Sequence, residues 1–578
     1  MSAETVRMIF PPMFPPFQPY PSLPVLAAAA GSAGIRVSGC DLNLWTHEAL
    51  VSPRYAGRLL LSGTRCSSPG SGSRQGTEGT IADAQHGLEM LRTEAAGPRP
   101  GASDYLEAIQ AINLALREVG SRFDGVTLQL GRASMPYSPQ HSSDIVAATR
   151  DHRRNPFIEM FADHIEETRT ELADAMLIGV SIVSLSQVIP AFTYLALLRD
   201  SVPETPFVVG GPVLTRVSDK LMTRSGLFDL FDFVVLGEGE TALIELVHQL
   251  QAKREFASVP NLLYRQSGQL VRSRVTHVED LNAWPAPRYE VLPVTQYLSP
   301  RPTLSVPVAR GCYWGKCMFC NQHVVSGGCF RERDASLVAD DILTLSSTHG
   351  AEVFCLGTES LRPAHGREIA ERLIVKGARI VWYAGSRLDE RLLLPTLRKY
   401  AESGCFELMF GLESGSQRVL DAMRKGTNVL QARQIVRDCA DVGIPTHLFL
   451  MVGFPGEEPT DVIATADFVA ETLSSGLPEV SCWISRFQAV HGAPVTHQLR
   501  ENGWCSPAAE AREDLAYILP LTRSRPGSHG PRWAERRLEE AAKAHSQPDC
   551  VKLPVEFRMA LRLACKRQTA RTVASRAR

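Results

Sequence analysis

Twice along this chain short apolar runs alternate with helix-length segments, and this alternation constrains the fold more than any other feature. Strands joined through helices pair in parallel and need helical cover, which restricts the chain to α/β architectures. The first array predicts strands at 176–183, 206–209 and 231–236, with helices at 189–198 and 241–251. A βαβ start precedes it: strand 6–10, a loop holding Pro11, Pro12, Pro15 and Pro16, helix 23–33 and strand 35–41. Helices at 105–119 and 156–170 with a strand at 126–129 lie between, and 261–272 reads as a hairpin. The implied architecture is a doubly wound, Rossmann-like sheet, whose ligands sit at the carboxyl ends of the strands. Those ends carry Ser184-Leu185-Ser186, Gly210-Gly211-Pro212 and Gly237-Glu238-Gly239-Glu240. Glycine there lets a bulky ligand approach the backbone, although a tight turn explains Gly210-Gly211 equally well. No Gly-x-Gly-x-x-Gly follows the first strand, which disfavours a nicotinamide dinucleotide.

The second array predicts strands at 304–308, 352–356, 379–384, 406–411, 446–452 and 481–487. Helices are expected at 335–348, 366–376, 390–402, 416–423, 429–442 and 459–474. Six repeats suggest a partial βα barrel with its active face at the strands' carboxyl ends. The expected domains are thus 1–278, a proline-rich linker at 279–303, the barrel at 304–500, and a helical, substrate-related C-terminal region at 501–578. Residues 63–102, which include the low-complexity run Ser67–Ser73, read as a flexible insertion with no packed role. The basic end from Cys565 reads as a solvated tail.

Composition narrows the function. A net charge of -1 lacks the broad basic surface of a nucleic-acid binder. No apolar run approaches the ~20 residues that cross a bilayer, and the first ten residues lack a targeting pattern. Thirteen cysteines, ten of them scattered singly, do not form a disulfide framework. The expectation is a cytoplasmic protein.

The other three cysteines are Cys312, Cys317 and Cys320, directly after the first strand of the second array. Three thiolates hold three irons of a [4Fe–4S] cluster and leave the fourth iron open. A zinc site with Cys329 as fourth ligand is the alternative. Cys355, Cys405, Cys439 and Cys482 read as packing residues.

Around this cluster the chain resembles the radical S-adenosylmethionine (SAM) superfamily, over about residues 304 to 490. The matching pieces are Phe319 before the third cysteine, Trp382–Arg387, Phe410-Gly411-Leu412-Glu413-Ser414-Gly415-Ser416 with Met423-Arg424-Lys425-Gly426, and Val452-Gly453-Phe454-Pro455-Gly456-Glu457. One departure stands out: Tyr313, Trp314, Gly315 and Lys316 make a first gap of four residues, where the family has three. Gly315 is expected to absorb the extra residue. The N-terminal half resembles the cobalamin-binding domain that precedes such barrels, in the proline loop, Asp41-Leu42-Asn43 and the serine and glycine loops named above. It has no Asp-x-His-x-x-Gly motif; His152 and His164 have the wrong spacing and read as surface helix residues. The protein is therefore expected to give cobalt no histidine, with the dimethylbenzimidazole tail displaced.

The resemblance implies three cofactors: a [4Fe–4S] cluster on Cys312, Cys317 and Cys320, SAM and cobalamin. For SAM it implies Phe319 at the adenine, Gly357 and Thr358 at the amino end, Arg387 or Lys425 at the carboxylate, Glu413 and Ser414 at the ribose, and Gly453 at the adenine. For cobalamin it implies Ser184, Leu185, Ser186, Gly210, Gly211, Gly237, Glu238 and Gly239. Glu359 is the candidate catalytic residue, with no general base assigned. The implied reaction is C-methylation of a small-molecule or peptide intermediate, free or carrier-linked, of the kind found in antibiotic tailoring. The methyl group passes from SAM through methylcobalamin by a radical or a polar route, with flavodoxin or ferredoxin as electron donor. A cobalamin-dependent cyclase or oxidative enzyme, a methylthiotransferase and a non-enzymatic cobalamin-binding module are the rivals. A methylthiotransferase should carry extra cluster cysteines and a nucleic-acid module, and neither is visible.

Overall fold

A computed structural model describes residues 5–61, 74–92, 101–223, 225–474, 480–505, 513–521, 531–545, 554, 555, 557 and 558. In the N-terminal half β1 (Thr5–Phe10), β2 (Arg36–Asp41), β3 (Ala175–Ser181), β4 (Phe207–Gly210) and β5 (Phe233–Val235) run parallel. The hairpin β6 (Leu262–Gln266) and β7 (Gln269–Arg272) adds two antiparallel strands, giving the spatial order β2-β1-β3-β4-β5-β6-β7. The order reverses between β1 and β3, so the crevice of this sheet opens where Pro11 and Ile182 leave it. Helices α1 (Ser22–Ser32) and α4 (Glu240–Gln251) cover one face, burying Leu23, Leu243 and Leu246 against Met8, Val208 and Val235. The larger core on the other face includes Ile178, Val180 and Val209.

That core corrects the expectation of a flexible insertion at 63–102. Helix α2 (Arg74–Arg92) packs along α3 (Ala102–Gly120), and Ile81, Ala84, Leu88 and Leu91 are buried with Ile112 and Leu116. The spacing 81, 84, 88, 91 is one face of a helix. Its low-complexity flanks, 62–73 and 93–100, lie outside the described residues. Gly87 permits close approach, since a Cβ there would lie 2.9 Å from the Ala108 carbonyl. Asp41-Leu42-Asn43 also differs from a simple ligand loop. Asp41 caps a helix at Leu42–Leu50 by accepting from Leu44 N at 2.6 Å, and Asn43 accepts from Phe14 N at 2.9 Å.

The second sheet has β8 (Thr303–Pro307), β9 (Val353–Leu361), β10 (Val381–Ser386), β11 (Cys405–Glu413), β12 (Thr446–Val452) and β13 (Val480–Arg486). All are parallel and neighbours in chain order, and β8 does not pair with β13, so this is an open partial barrel. Leu304, Phe354, Trp382, Leu408, Leu448 and their alternates fill the core beneath the helices. The intervening positions face the lumen.

Residues 279–303 form a packed strap between the domains. The Tyr289 hydroxyl donates to Ser305 O at 2.8 Å, and Tyr297 donates to the Asp41 carboxylate. Gly39 lets the strap lie on β2, because a Cβ would sit 2.3 Å from Val291 O. The C-terminal region is less helical than expected. Pro531–His545 is a helix packed on β13, whereas residues 513–521 bridge the two domains, with Leu515 in the N-terminal core and Leu519 in the barrel's apolar cluster. The tail from Cys565 lies outside the described residues.

Candidate active site between the two domains

The cysteine loop leaves the barrel through two short antiparallel arms, Ala309–Arg310 and Arg331–Glu332. Gly311 has φ +82°, and a Cβ there would lie 2.3 Å from Cys329 O, so glycine lets the arms close. The longer first gap is taken up at Gly315, with φ +62°. The two aromatic residues before it anchor in opposite directions. Tyr313 donates to Asp389 Oδ2 at 3.0 Å, while Trp314 donates to Arg424 O at 2.8 Å and stacks under Arg387 at 4.7 Å. Trp314 also fills the space beside Gly426, where a Cβ would meet the indole at 2.1 Å.

Burial pushes the Cys317 and Cys320 thiols up. Lys425 and Arg387 oppose this at Cys317, and the Gln322 backbone N–H, 3.4 Å from Sγ, opposes it at Cys320. The donor set therefore suits bound thiolates and the negative charge of a cluster. Among the described residues no three Cys, His, Asp or Glu side chains converge closely enough to share one metal ion. Cys329, the fourth zinc ligand of that alternative, is exposed with its thiol turned to Gly327 O.

Several SAM-contact candidates gather around this loop. Phe319 packs with Met451 and Phe454, and Lys425 Nζ lies 5.6 Å over its ring. Lys425 forms a buried pair with Glu413 at 2.8 Å. Glu413 takes the left-handed conformation, φ +67°, to fold back onto it. Arg387 reaches Cys317 Sγ at 4.0 Å and donates to Lys425 O, so it supports the loop instead of standing free for a carboxylate. Ser414 is turned into the core, with its hydroxyl 3.2 Å from Thr465 Oγ1, and does not fit a ribose contact. Gly453 directs its N–H to Glu457 at 2.6 Å, and burial pushes that carboxyl up to about 7.

A cavity of about 670 Å³ separates the carboxyl edges of the two sheets. Gly210, Gly211, Gly237, Glu238 and Gly239 line one side, and Gly357, Thr358 and Glu359 line the other. It descends the N-terminal sheet past Met8, Gly179, Val208, Leu26 and Leu243, and no histidine among the described residues lines it. Gly211 has φ +115°, and a Cβ would lie 2.2 Å from Ile182 O, so this edge needs glycine. Ser184, Leu185 and Ser186 do not line the cavity; Ser186 donates to Met13 O at 2.9 Å and braces the proline loop. His152 is exposed in a turn, and His164 is buried in a helix 2.9 Å from the Tyr194 hydroxyl, so neither is a surface helix residue. Cys355, expected in packing, lines the cavity.

Sequence reasoning missed the charged joint beside this cavity. Arg310 pairs with Glu238 at 3.2 Å and with Glu240, and Arg331 pairs with Glu238 at 2.7 Å. Burial opposes ionisation of Glu238, but Arg331 and Arg310 hold its carboxyl below the usual range. The glutamates of the Gly-Glu-Gly-Glu loop thus clamp both arms of the cysteine loop. Two arginines flanking a cysteine cluster, opposite an acidic glycine loop, were the available signal. A second link is Gln322, which accepts from Arg216 at 3.0 Å and donates to Glu359 at 2.7 Å. Glu359 faces the cavity; burial pushes its carboxyl up and Arg216 pulls the other way.

Residues 306–469 match the radical SAM superfamily. The chain is 28% identical over 324 residues to an uncharacterised methyltransferase of Pyrococcus horikoshii, covering 54% of this chain and 69% of that protein. It is 24% identical over 246 residues to the anaerobic magnesium-protoporphyrin IX monomethyl ester cyclase of a Synechocystis strain, covering 42% of this chain but only 48% of that relative. The fold is similar to the radical SAM methyltransferase TsrM of Kitasatospora setae, solved with cobalamin and a [4Fe–4S] cluster: TM-score 0.56, 14% identity, 94% of this chain and 89% of that one. The chain thus carries a radical SAM domain, and its two α/β domains share the fold of a protein solved with cobalamin and a [4Fe–4S] cluster.

Proposed function

We propose that this protein is a cobalamin-dependent radical SAM methyltransferase that methylates a carbon of a small-molecule or peptide intermediate. The observation that carries the reading is the cavity itself, which the glycine edge of the N-terminal sheet and Gly357–Glu359 of the barrel line together, beside the cysteine loop. When bound, the three cofactors supply one-electron cleavage of SAM at the cluster and methyl-group carriage at the cobalt.

The chain's residues have definable tasks. Cys312, Cys317 and Cys320 would hold the cluster, with Lys425, Arg387 and the Gln322 N–H offsetting its charge. Gly210, Gly211, Gly237 and Gly239 would offer backbone to the corrin, and the slot past Met8, Gly179 and Leu243 would hold the displaced tail. Gly357, Thr358 and the Glu413–Lys425 pair would be the polar contacts of SAM, and Phe319 and Phe454 its apolar cover. Glu359, held by Gln322, is a group able to accept or return a proton in the cavity. An external electron donor and a cytoplasmic location are consistent with this reading; no helix among the described residues is long and apolar enough to cross a membrane.

The cyclase relative favours a second reading, ring formation without methyl transfer. Anaerobic reconstitution with iron, sulfide, cobalamin and methyl-labelled SAM, offered to extracts of the source cells, decides between them. Label in a product supports methylation. Cleavage of SAM to 5′-deoxyadenosine with an unlabelled, oxidised or cyclised product supports the second reading.

A further inference from the structure

The barrel lumen has a closed polar floor and an open aromatic wall. Leu408, Phe410, Leu448 and Leu450 fill the outer core, with Cys482 and Ile484 packed against it. The alternate residues of β11, β12 and β13 therefore turn inward. In the paired register His447 lies beside Ser481, and Phe449 beside Trp483.

The floor is made by the C-terminal segment. Arg558 donates to Glu407 at 2.6 Å, with side chains only 8% and 2% exposed, and its other nitrogen reaches Ser481 Oγ at 3.4 Å. His447 Nδ1 completes the set, 2.7 Å from the same hydroxyl. Burial pushes the His447 imidazole down to about 4, and Arg558 adds to this, so it is neutral. Higher in the lumen Glu413 is paired with Lys425. The carboxylates that β11 turns inward thus already have partners.

The wall above the floor is unfilled. Phe449 is 38% and Trp483 64% exposed, although both rings face into the barrel. The His447 ring meets Phe449 edge-on at 4.8 Å. Met451, next on β12, joins the apolar cluster that contains Phe319 beside the cysteines.

We propose that this inner face of β11–β13 binds an uncharged, planar aromatic group of the substrate, held against Trp483 and Phe449. The word substrate rests on the function proposed above; the binding chemistry does not. Exposed ring faces favour another aromatic ring over a saturated one through offset or edge-on packing. A charged ligand would shed its hydration with no free counter-charge on these strands.

The test is calorimetric titration of the full-length apoprotein with indole, indole-3-acetate and cyclohexylmethanol. Indole is expected to bind about tenfold more tightly than either of the others, and Trp483→Ala and Phe449→Ala each to weaken it about tenfold. Trp483→Phe should restore most of the binding, and Leu430→Ala, at an exposed helix position, should change nothing. The proposal is overturned if indole does not bind, if the three probes bind alike, or if both alanine variants bind indole as the parent does. SAM cleavage by the reconstituted parent protein without substrate is a separate measurement. Its failure removes the proposed function and leaves the indole result to stand or fall alone.

Discussion

The two sheets meet across one cavity with edges built on opposite principles. The N-terminal edge presents Gly210, Gly211, Gly237 and Gly239, so it recognises by backbone shape. The barrel side carries the cysteine loop, with the Glu413–Lys425 pair and Arg387 packed around it, so it is built on charge and ligation. Arg310 joins them: it belongs to the cysteine loop but pairs with glutamates of the glycine loop. A shape-built edge should fail through sterics and a chemistry-built edge through loss of a ligand, and each should fail without the other.

The largest expected effect is on the barrel side. Alanine at Cys312, Cys317 or Cys320 should abolish the cluster, read as iron and sulfide content after anaerobic reconstitution, while cobalamin retention persists. A cluster retained in all three variants would remove the ligand assignment. Next comes the joint. Arg310→Met leaves Glu238 and Glu240 without their shared cation and should cost about 3 kcal/mol of stability in urea unfolding. It should also separate the unfolding of the two domains, and a single unaltered transition would show that the pair does not couple them. On the shape side, Gly211→Ala drives a Cβ to 2.2 Å from Ile182 O at φ +115°. It should cost about 2 kcal/mol and weaken cobalamin binding with cluster content unchanged. Loss of both cofactors together would contradict the independence of the edges.

The same contrast explains what was legible beforehand. The barrel's motifs use rare side chains at fixed spacings, so Cys312, Glu413 and Lys425 could be named and the structure brings them together. Glycine is common and its role depends on φ, so Gly211 was a weak signal until its backbone was seen. Ser184 and Ser186 lie off the cavity lining, and a serine before a helical turn suits a brace as well as a ligand contact. Helix α2 was hidden by its low-complexity flanks although its four apolar positions keep helical spacing. Arg310 and Arg331 were missed because ion pairs across a domain boundary have no sequence period. The four-residue gap became intelligible only through its partners, with Tyr313 and Trp314 anchored apart and Gly315 turning between them.

The smallest effect is on acid stability, where burial acts on groups in both domains. Burial pushes His47 and His164 in the N-terminal domain, and His447 in the barrel, down to about 4. At neutral pH each is uncharged in both the folded and the unfolded chain. As pH falls below about 6.5, the unfolded chain takes up a proton that the folded chain refuses until about 4, so stability is lost across that window. Asp41 acts with the opposite sign: burial raises its carboxyl to about 6, so the folded chain gains a proton first as pH falls. Glu457, raised to about 7 by burial, does the same in the barrel. In the barrel Glu457 opposes both His447 and His365, whose imidazole burial also lowers. In the N-terminal domain His47 and His164 outweigh Asp41, so that domain should lose on the order of 2 kcal/mol between pH 7 and pH 5. His47 accepts from Gly131 N at 2.9 Å, and His47→Gln keeps an acceptor there without the titration. The variant should lower the pH slope of N-terminal unfolding by about one proton between pH 6 and 5. An unchanged slope would mean that His47 does not govern it.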